Sequence, residues 1–408
     1  MYKKLIFSAS LLTFLVNLSI SAAAPVEISL DKDVVPAVQS AADDLISALQ
    51  KVFPNDSFVL ANETKNPRQI EITVDGQGTP ESFRVTKING GQGLRIAGAD
   101  PLGSVYGIYH LLECYGCGFY LTYDTFPVAE KGNWTIPKQI LEKDFADAPL
   151  AKERYSFNWH NFLSGCSGWD LAQWKSWIDQ CRKMRYNIVM VHAYGNNPMF
   201  TFEFKGMTKP VGFLASTARG RDWGTPHVND VRRMIGGEHF TSAVFGSPPA
   251  LVPPEQRIES VQKMMKQVFA HAKSQGMKIA FQIDVDTPSS NPPEMIAALP
   301  ESARMKVGGN QFRPLPDTAE GKEYYTIILK RLFELYPEIT SVVVCTRVAP
   351  APGGYSVQNF PEHWKKEFET IKDRKELNNQ NQLAAYFWTG KVVRVFQEIV
   401  RELDRGDS

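Results

Sequence analysis

Residues 177–192 read WIDQCRKMRYNIVMVH, and this stretch decides the fold class. Apolar side chains recur every three or four residues in its first part, which predicts a helix over residues 169–184. Residues 187–192 then form an apolar run without alternation, which is typical of a parallel strand buried on both faces. A helix followed at once by such a strand predicts an α/β fold with a parallel sheet.

The same helix–strand unit recurs through the second part of the chain. The sequence predicts strands at 155–160, 187–192, 277–284 and 341–345, and helices at 169–184, 254–275, 324–336 and 392–403. Repeated units of this kind favour a (β/α)8 TIM-type barrel over residues 152–408. This barrel is incomplete, with about four of eight strands, because residues 201–253 and 287–321 are predicted as long loop insertions. We therefore expect either a fragment of a longer protein or a half-barrel completed by a partner chain.

A small α/β domain is predicted ahead of the barrel, over residues 24–126. Its strands are expected at 26–30, 69–74, 83–88 and 93–98, and its helices at 35–53 and 102–115. Residues 127–151 are rich in proline and charge and are predicted as a linker.

The first 23 residues have the pattern of a signal peptide. A basic start is followed by an apolar run and by small residues ending near Ala23. The apolar run is short and contains several serines, so we expect no stable membrane anchor. The sequence therefore predicts an exported protein, periplasmic or extracellular. In an oxidising compartment, Cys114 and Cys117 are expected as buried thiols or as one structural disulfide.

The charge balance excludes one class of partner. The chain has 45 Lys and Arg against 44 Asp and Glu, for a net charge of +1. Nucleic-acid binding needs a strongly basic surface, which this composition does not provide, so we expect no nucleic-acid partner.

Three segments resemble a family of carbohydrate-active enzymes. Residues 97–113 are similar to the end of the N-terminal α/β domain of β-N-acetylhexosaminidases, α-glucuronidases and α-N-acetylglucosaminidases. Residues 177–192 resemble the first helix and second strand of the hexosaminidase barrel, and residues 283–288 resemble the turn after its third strand. The resemblance implies that the first domain supports the barrel. It also implies a glycoside hydrolase that cleaves O-glycosyl bonds by carboxylate acid/base chemistry, with a carbohydrate substrate.

Barrel enzymes place their sites at the carboxyl ends of the strands, so the candidate residues follow each predicted strand. Asp286, after the third strand, is the candidate catalytic acid. The candidate substrate-binding residues are aromatic, amide or charged side chains that suit a sugar: Trp159, His160, His192, Asn196, Trp223, Asp284 and Arg347. One departure from the family weakens the catalytic expectation. Residues 346–352, after the fourth strand, contain none of the carboxylates that related hydrolases carry there.

Two other functions remain open on the sequence. The missing carboxylate favours a non-catalytic carbohydrate-binding relative. A polysaccharide lyase or esterase that uses His and Tyr as bases is the second alternative. No cofactor is predicted, and no metal site either, because the histidines lack the H-x-x-x-H or H-E-x-x-H spacing of helical zinc sites.

Overall fold

The structure is a computed structural model that describes residues 24–62, 64–157, 169–193, 200–211, 254–285, 291–307, 311–345, 355–373 and 380–405. The strands in these ranges are, in chain order, β1 (Val26–Leu30), β2 (Phe58–Leu60), β3 (Gln69–Val74), β4 (Phe83–Ile88), β5 (Gly93–Gly98), β6 (Gly118–Phe119), β7 (Asp124–Thr125), β8 (Phe145–Asp147), β9 (Tyr155–Phe157), β10 (Ile188–Ala193), β11 (Phe200–Phe204), β12 (Met207–Val211), β13 (Lys278–Asp284), β14 (Arg304–Val307), β15 (Gln311–Pro314) and β16 (Ile339–Cys345). The α-helices are α1 (Pro36–Val52), α2 (Pro101–Cys114), α3 (Lys138–Glu142), α4 (Leu171–Lys183), α5 (Arg257–Ser274), α6 (Pro293–Ala297), α7 (Ala319–Leu335), α8 (Glu362–Glu369) and α9 (Gln380–Arg405). None of these helices combines the length and the apolar run that a membrane span requires.

The first part of the chain forms a six-stranded sheet in the order β2-β1-β3-β5-β4-β8. Strands β2, β1, β3 and β5 run parallel to one another. Strand β4 is antiparallel to both of its neighbours, β5 and β8. Helices α1 and α2 share one hydrophobic core with this sheet. Helix α2 begins sharply because Asp100 caps it, accepting a hydrogen bond of 2.9 Å from the backbone N–H of Gly103.

Glycine lets α2 approach the sheet closely. A Cβ atom at Gly107 would lie 2.5 Å from Cγ2 of Ile96 on β5, and one at Gly103 would collide with the backbone oxygen of Ser82. Glycine at these two positions therefore permits close contact between the helix and the sheet.

The second part of the chain contains a four-stranded parallel sheet in the order β9-β10-β13-β16. Spatial order follows chain order, and a helix separates each strand from the next. These are the four strands that the sequence predicts, and the mixed α/β class is confirmed. The sheet is open, and the described part of the chain contains no closed barrel.

The segments predicted as long loops contain regular structure, and that prediction was wrong for residues 201–211 and 293–314. Strands β11 and β12 form an antiparallel hairpin, and β14 and β15 form another, with α6 ahead of it. The helices α7 and α9 are also longer than predicted, beginning at Ala319 and Gln380. In the added part of α9, Leu383, Ala384 and Trp388 are buried in the larger hydrophobic core.

The stretch from residue 127 to 151 carries secondary structure as well. It contains α3 and β8, and β8 pairs with β4 as the edge strand of the first sheet. The bounds of a linker and of two domains stay predictions, and the proposed signal peptide lies outside the described residues.

A polar network joins the first sheet's helices to α4. Arg182 on α4 is 1 % exposed and donates a 2.7 Å hydrogen bond to the hydroxyl of Tyr109 on α2. That hydroxyl donates in turn to Asp44 on α1 at 2.7 Å, and Arg182 also donates to Gln275 after α5. Burial raises the pKa of Tyr109 well above its usual range, so the hydroxyl stays protonated and able to donate.

Candidate functional site

The two faces of the parallel sheet differ in chemistry. Val189 and Val191 on β10, and Phe281 and Ile283 on β13, belong to the larger hydrophobic core that includes the helices. Because side chains alternate along a strand, the residues between them lie on the opposite face. That opposite face carries polar groups at the carboxyl ends of three strands, listed from β10 to β16 as His192, Gln282, Asp284 and Cys345.

The strand register brings three of these groups together. His192 pairs with Gln282, and Asp284, two residues further along β13, pairs with Cys345 on β16. One imidazole nitrogen of His192, one carboxylate oxygen of Asp284 and the sulfur of Cys345 all lie within 4.8 Å of one another. His192 and Asp284 are each 1 % exposed, and Cys345 is partly exposed. We call these three residues the strand-end cluster.

The strand-end cluster lies where parallel α/β sheets place their sites, at the carboxyl ends of adjacent strands. On the neighbouring strand β9, the ring of Phe157 lies 6.4 Å from the ring of His192, measured between ring centroids. An imidazole, a carboxylate and a thiol in one place can hydrogen-bond a polar ligand, transfer protons or bind a metal ion.

Of the residues predicted from the sequence, the structure brings His192 and Asp284 together. The others lie outside the described residues: Trp159, His160, Asn196, Trp223, Asp286 and Arg347. Their assignment as catalytic or substrate-binding groups stays a prediction.

Cys345 is not among the site residues predicted from the sequence, because it closes an apolar run and Arg347 is the first charged residue after it. A usable signal was present, because Ser341 and Cys345 fall on one face of a strand in which Val342 and Val344 fall on the other. Only the register with Asp284 shows which residues this face meets.

The Cys114 and Cys117 pair is separate from this site. Both are free thiols at the end of α2, and the sulfur of Cys114 lies 3.5 Å from Nε2 of His110. Burial raises the pKa of the Cys117 thiol to about 11 and raises that of Cys114 as well. Thiolate chemistry requires a lowered pKa, which neither cysteine has. Of the two forms expected from the sequence, thiols or a disulfide, the structure has the thiols.

No protein-family model matches this chain, and no curated protein matches its sequence. Solved structures do resemble it. One is a GH20 exo-β-N-acetylglucosaminidase from Vibrio harveyi, solved as an inactive mutant, which is 13% identical with a TM-score of 0.48. The matched region covers 91% of this chain and 50% of the Vibrio chain. A GH20 β-N-acetylhexosaminidase from Streptomyces coelicolor A3(2) is 12% identical with a TM-score of 0.47, covering 92% and 60%.

A third similar structure is a GH138 enzyme that targets pectin rhamnogalacturonan II. It is 15% identical with a TM-score of 0.44, covering 87% of this chain and 44% of its own. These neighbours are glycoside hydrolases at low sequence identity, and the chain spans about half of their length.

Proposed function

We propose that this chain is a glycoside hydrolase-like protein that binds a glycan at the carboxyl end of its parallel sheet. The observation that supports this best is the placement of His192 and Asp284 together at the carboxyl ends of adjacent parallel strands. Sites in β/α folds are built from residues at these ends. The sequence resemblance to hexosaminidase-type barrels supports a sugar as the ligand.

His192 and Asp284 are proposed to act by hydrogen bonding and not by stacking on the sugar. Each has 1 % of its surface exposed, so neither presents a face on which a pyranose ring could stack. A carboxylate close to an imidazole orients the ring by accepting a hydrogen bond from one of its nitrogens. Asp284 would therefore orient His192, and His192 would direct a hydrogen-bonding nitrogen towards the ligand.

The chemistry itself is assigned to Asp286 as general acid, two residues after Asp284 in the sequence. Glycosidic cleavage uses a protonated carboxyl to donate to the leaving oxygen, with a second carboxylate as base or nucleophile. The proposed sugar contacts are the remaining residues predicted at strand ends and in the following insertions: Trp159, His160, Asn196, Trp223 and Arg347. Export to the periplasm or cell exterior, with cleavage near Ala23, is part of the same proposal.

A non-catalytic glycan-binding protein is the second candidate. The specific observation in its favour is the residue at the end of the fourth strand, which is Cys345 and is followed by seven residues without a carboxylate. Related hydrolases would carry an acid there, as the sequence resemblance implies.

The test combines a binding assay and a hydrolysis assay on the 408-residue chain. The ligands are aryl glycosides, uronate-containing polysaccharides and acetylated glycans, so that lyase and esterase activity would also be detected. If Asp286 is the general acid, Asp286→Asn lowers kcat by about 10²- to 10⁴-fold. Glycan affinity should stay within about threefold of wild type, because the amide keeps the size and hydrogen bonding of the carboxyl group.

Asp33→Asn is the matched control, since Asp33 is an exposed carboxylate in the first part of the chain. It should change neither binding nor hydrolysis. Binding without hydrolysis of any ligand would replace the hydrolase assignment by the glycan-binding one. No binding to any glycan in the panel would contradict both.

A further inference from the structure

The strand-end cluster combines three different metal-ligating atoms. We propose that His192, Asp284 and Cys345 form a zinc site, with a nitrogen, an oxygen and a sulfur ligand from three adjacent parallel strands. The proposal goes beyond glycan binding and does not depend on it, because the ion would bind in the absence of any sugar.

The geometry is close to that of a bound ion. The three ligating atoms lie within 4.8 Å of one another. Tetrahedral zinc, with bonds of about 2.0 to 2.3 Å, sets its ligands about 3.3 to 3.8 Å apart. Binding would draw the three atoms together by up to about 1.5 Å. The hydrogen-bonded register between β13 and β16 already sets Asp284 opposite Cys345.

The donor atoms select the kind of ion. Calcium and magnesium prefer sites made of oxygen ligands, and a thiolate with an imidazole does not suit them. One imidazole, one carboxylate and one thiolate suit zinc, which accepts nitrogen, oxygen and sulfur together. Three protein ligands leave a fourth tetrahedral position for water or a ligand, as in catalytic zinc sites.

Burial favours a cation at this place. Asp284 is 1 % exposed and Cys345 is partly exposed, and on coordination these residues would supply one carboxylate and one thiolate charge. A divalent ion bonded to both would balance these charges. Zinc would also remove the thiol proton of Cys345, which is the usual consequence of coordination.

A cysteine nucleophile activated by His192 and Asp284 is the competing arrangement, and the distances favour the metal. In a nucleophile–base–acid chain the histidine ring lies between the other two groups, which sets the thiol and the carboxylate roughly 6 to 7 Å apart. Here the sulfur of Cys345 and a carboxylate oxygen of Asp284 lie within 4.8 Å of each other. The three atoms therefore converge on one point and do not form a line.

The test uses the full chain after removal of metal with a chelator. Zinc is titrated in competition with a chromophoric chelator, and cobalt is then used as a spectroscopic substitute. The expected result is one tight site per chain, with a near-ultraviolet thiolate-to-cobalt band. Cys345→Ser should abolish the band, and Asp284→Asn and His192→Ala should each weaken zinc binding by about tenfold or more.

Cys114→Ser is the matched control. Cys114 also lies next to a histidine, with its sulfur 3.5 Å from Nε2 of His110. Among the described residues, however, this pair belongs to no group of three potential metal ligands. This variant should keep both the stoichiometry and the cobalt band. A wild-type chain that binds less than one zinc, or a Cys345→Ser variant that keeps the band, would overturn the proposal.

A wild-type measurement makes the test independent of variant folding. Iodoacetamide labelling, located by peptide mass spectrometry, should be slower at Cys345 with zinc than without it. Equal labelling rates with and without zinc would favour the nucleophile arrangement and overturn the metal site. Because neither assay contains a glycan, failure here leaves the proposed glycan binding untouched, and failure of glycan binding leaves the metal result standing.

Discussion

At the scale of single residues, Gly107 shows how a missing side chain fixes the distance between a helix and a sheet. A Cβ atom there would lie 2.5 Å from Ile96 and 3.2 Å from Phe83, both buried side chains of the first sheet. The sequence predicts this role, because a glycine inside a helix lowers helix propensity and so points to a contact that needs the space.

We expect Gly107→Ala to lower the free energy of unfolding by about 1 to 3 kcal/mol, because the added methyl overpacks the core between α2 and β5. Urea unfolding of wild type and variant measures this change. Gly390→Ala is the control, since Gly390 lies on α9 with nothing within 4 Å of an added Cβ. There alanine should raise stability by up to about 1 kcal/mol through helix propensity. A loss of equal size in both variants would contradict the overpacking argument.

Some residues of the strand-end cluster can be predicted from the sequence, and one cannot. His192 follows a continuous apolar run, and Asp284 ends a largely apolar strand, so a strand-end argument finds them. Their proximity to Cys345 depends on which residue of β16 faces which residue of β13. A sequence predicts that a strand exists, but a register shift of one residue moves every side chain to the other face.

At the scale of elements, the hairpin β11–β12 is the main departure from the sequence expectation. Phe200, Phe202 and Phe204 alternate along β11 and are each at most 2 % exposed. The ring of Phe202 lies 5.7 Å, and that of Phe204 5.1 Å, from Tyr324 on α7. The alternating phenylalanines are visible in the sequence. They stand at the start of the long predicted loop insertion, where few other apolar residues support a strand. The hairpin is part of the larger core, which it helps to close over α7.

We expect Phe202→Ala to cost about 3 to 5 kcal/mol of unfolding free energy, the usual range for removing a buried phenylalanine. Glu203→Ala, one residue along on the exposed face of the same strand, should cost less than about 0.5 kcal/mol. Thermal or urea unfolding distinguishes the two. If Phe202→Ala behaves like Glu203→Ala, the hairpin does not belong to the core.

At the scale of the whole molecule, Arg182 links the first sheet's layer to the parallel sheet. Its guanidinium is 1 % exposed and contacts groups from α1, α2 and the end of α5, namely Asp44, Tyr109 and Gln275. Nearby, Asn187 at the start of β10 donates to Glu81 from the first part of the chain at 2.8 Å. These contacts tie α4 to helices α1 and α2, and the start of β10 to the segment before β4, and so they position the strand that carries His192.

We expect Arg182→Met to cost about 2 to 4 kcal/mol, because it removes the buried donor to Gln275 and to the Tyr109 hydroxyl, and the ion-pair partner of Asp44. This expected loss of stability is smaller than that for breaking a fully buried ion pair, because the Asp44 side chain is 37% exposed and partly solvated. Arg95→Met is the control, as Arg95 pairs with Glu71 at 2.7 Å but has a side chain 49% exposed. It should cost less than about 1 kcal/mol. Equal costs in urea unfolding would mean that the Arg182 contacts carry no special stability.

The sequence by itself determined the α/β class, the four parallel strands and the position of most helices, because hydrophobic periodicity is a local property that each segment carries independently. It also determined that His192 and Asp284 lie at the carboxyl ends of their strands. Tertiary structure alone decided that β8 joins the first sheet, that the insertion after β10 contains a buried hairpin, and that Cys345 meets Asp284. These features depend on pairing between residues far apart in the chain, and pairing is set by register and packing, which no single segment contains.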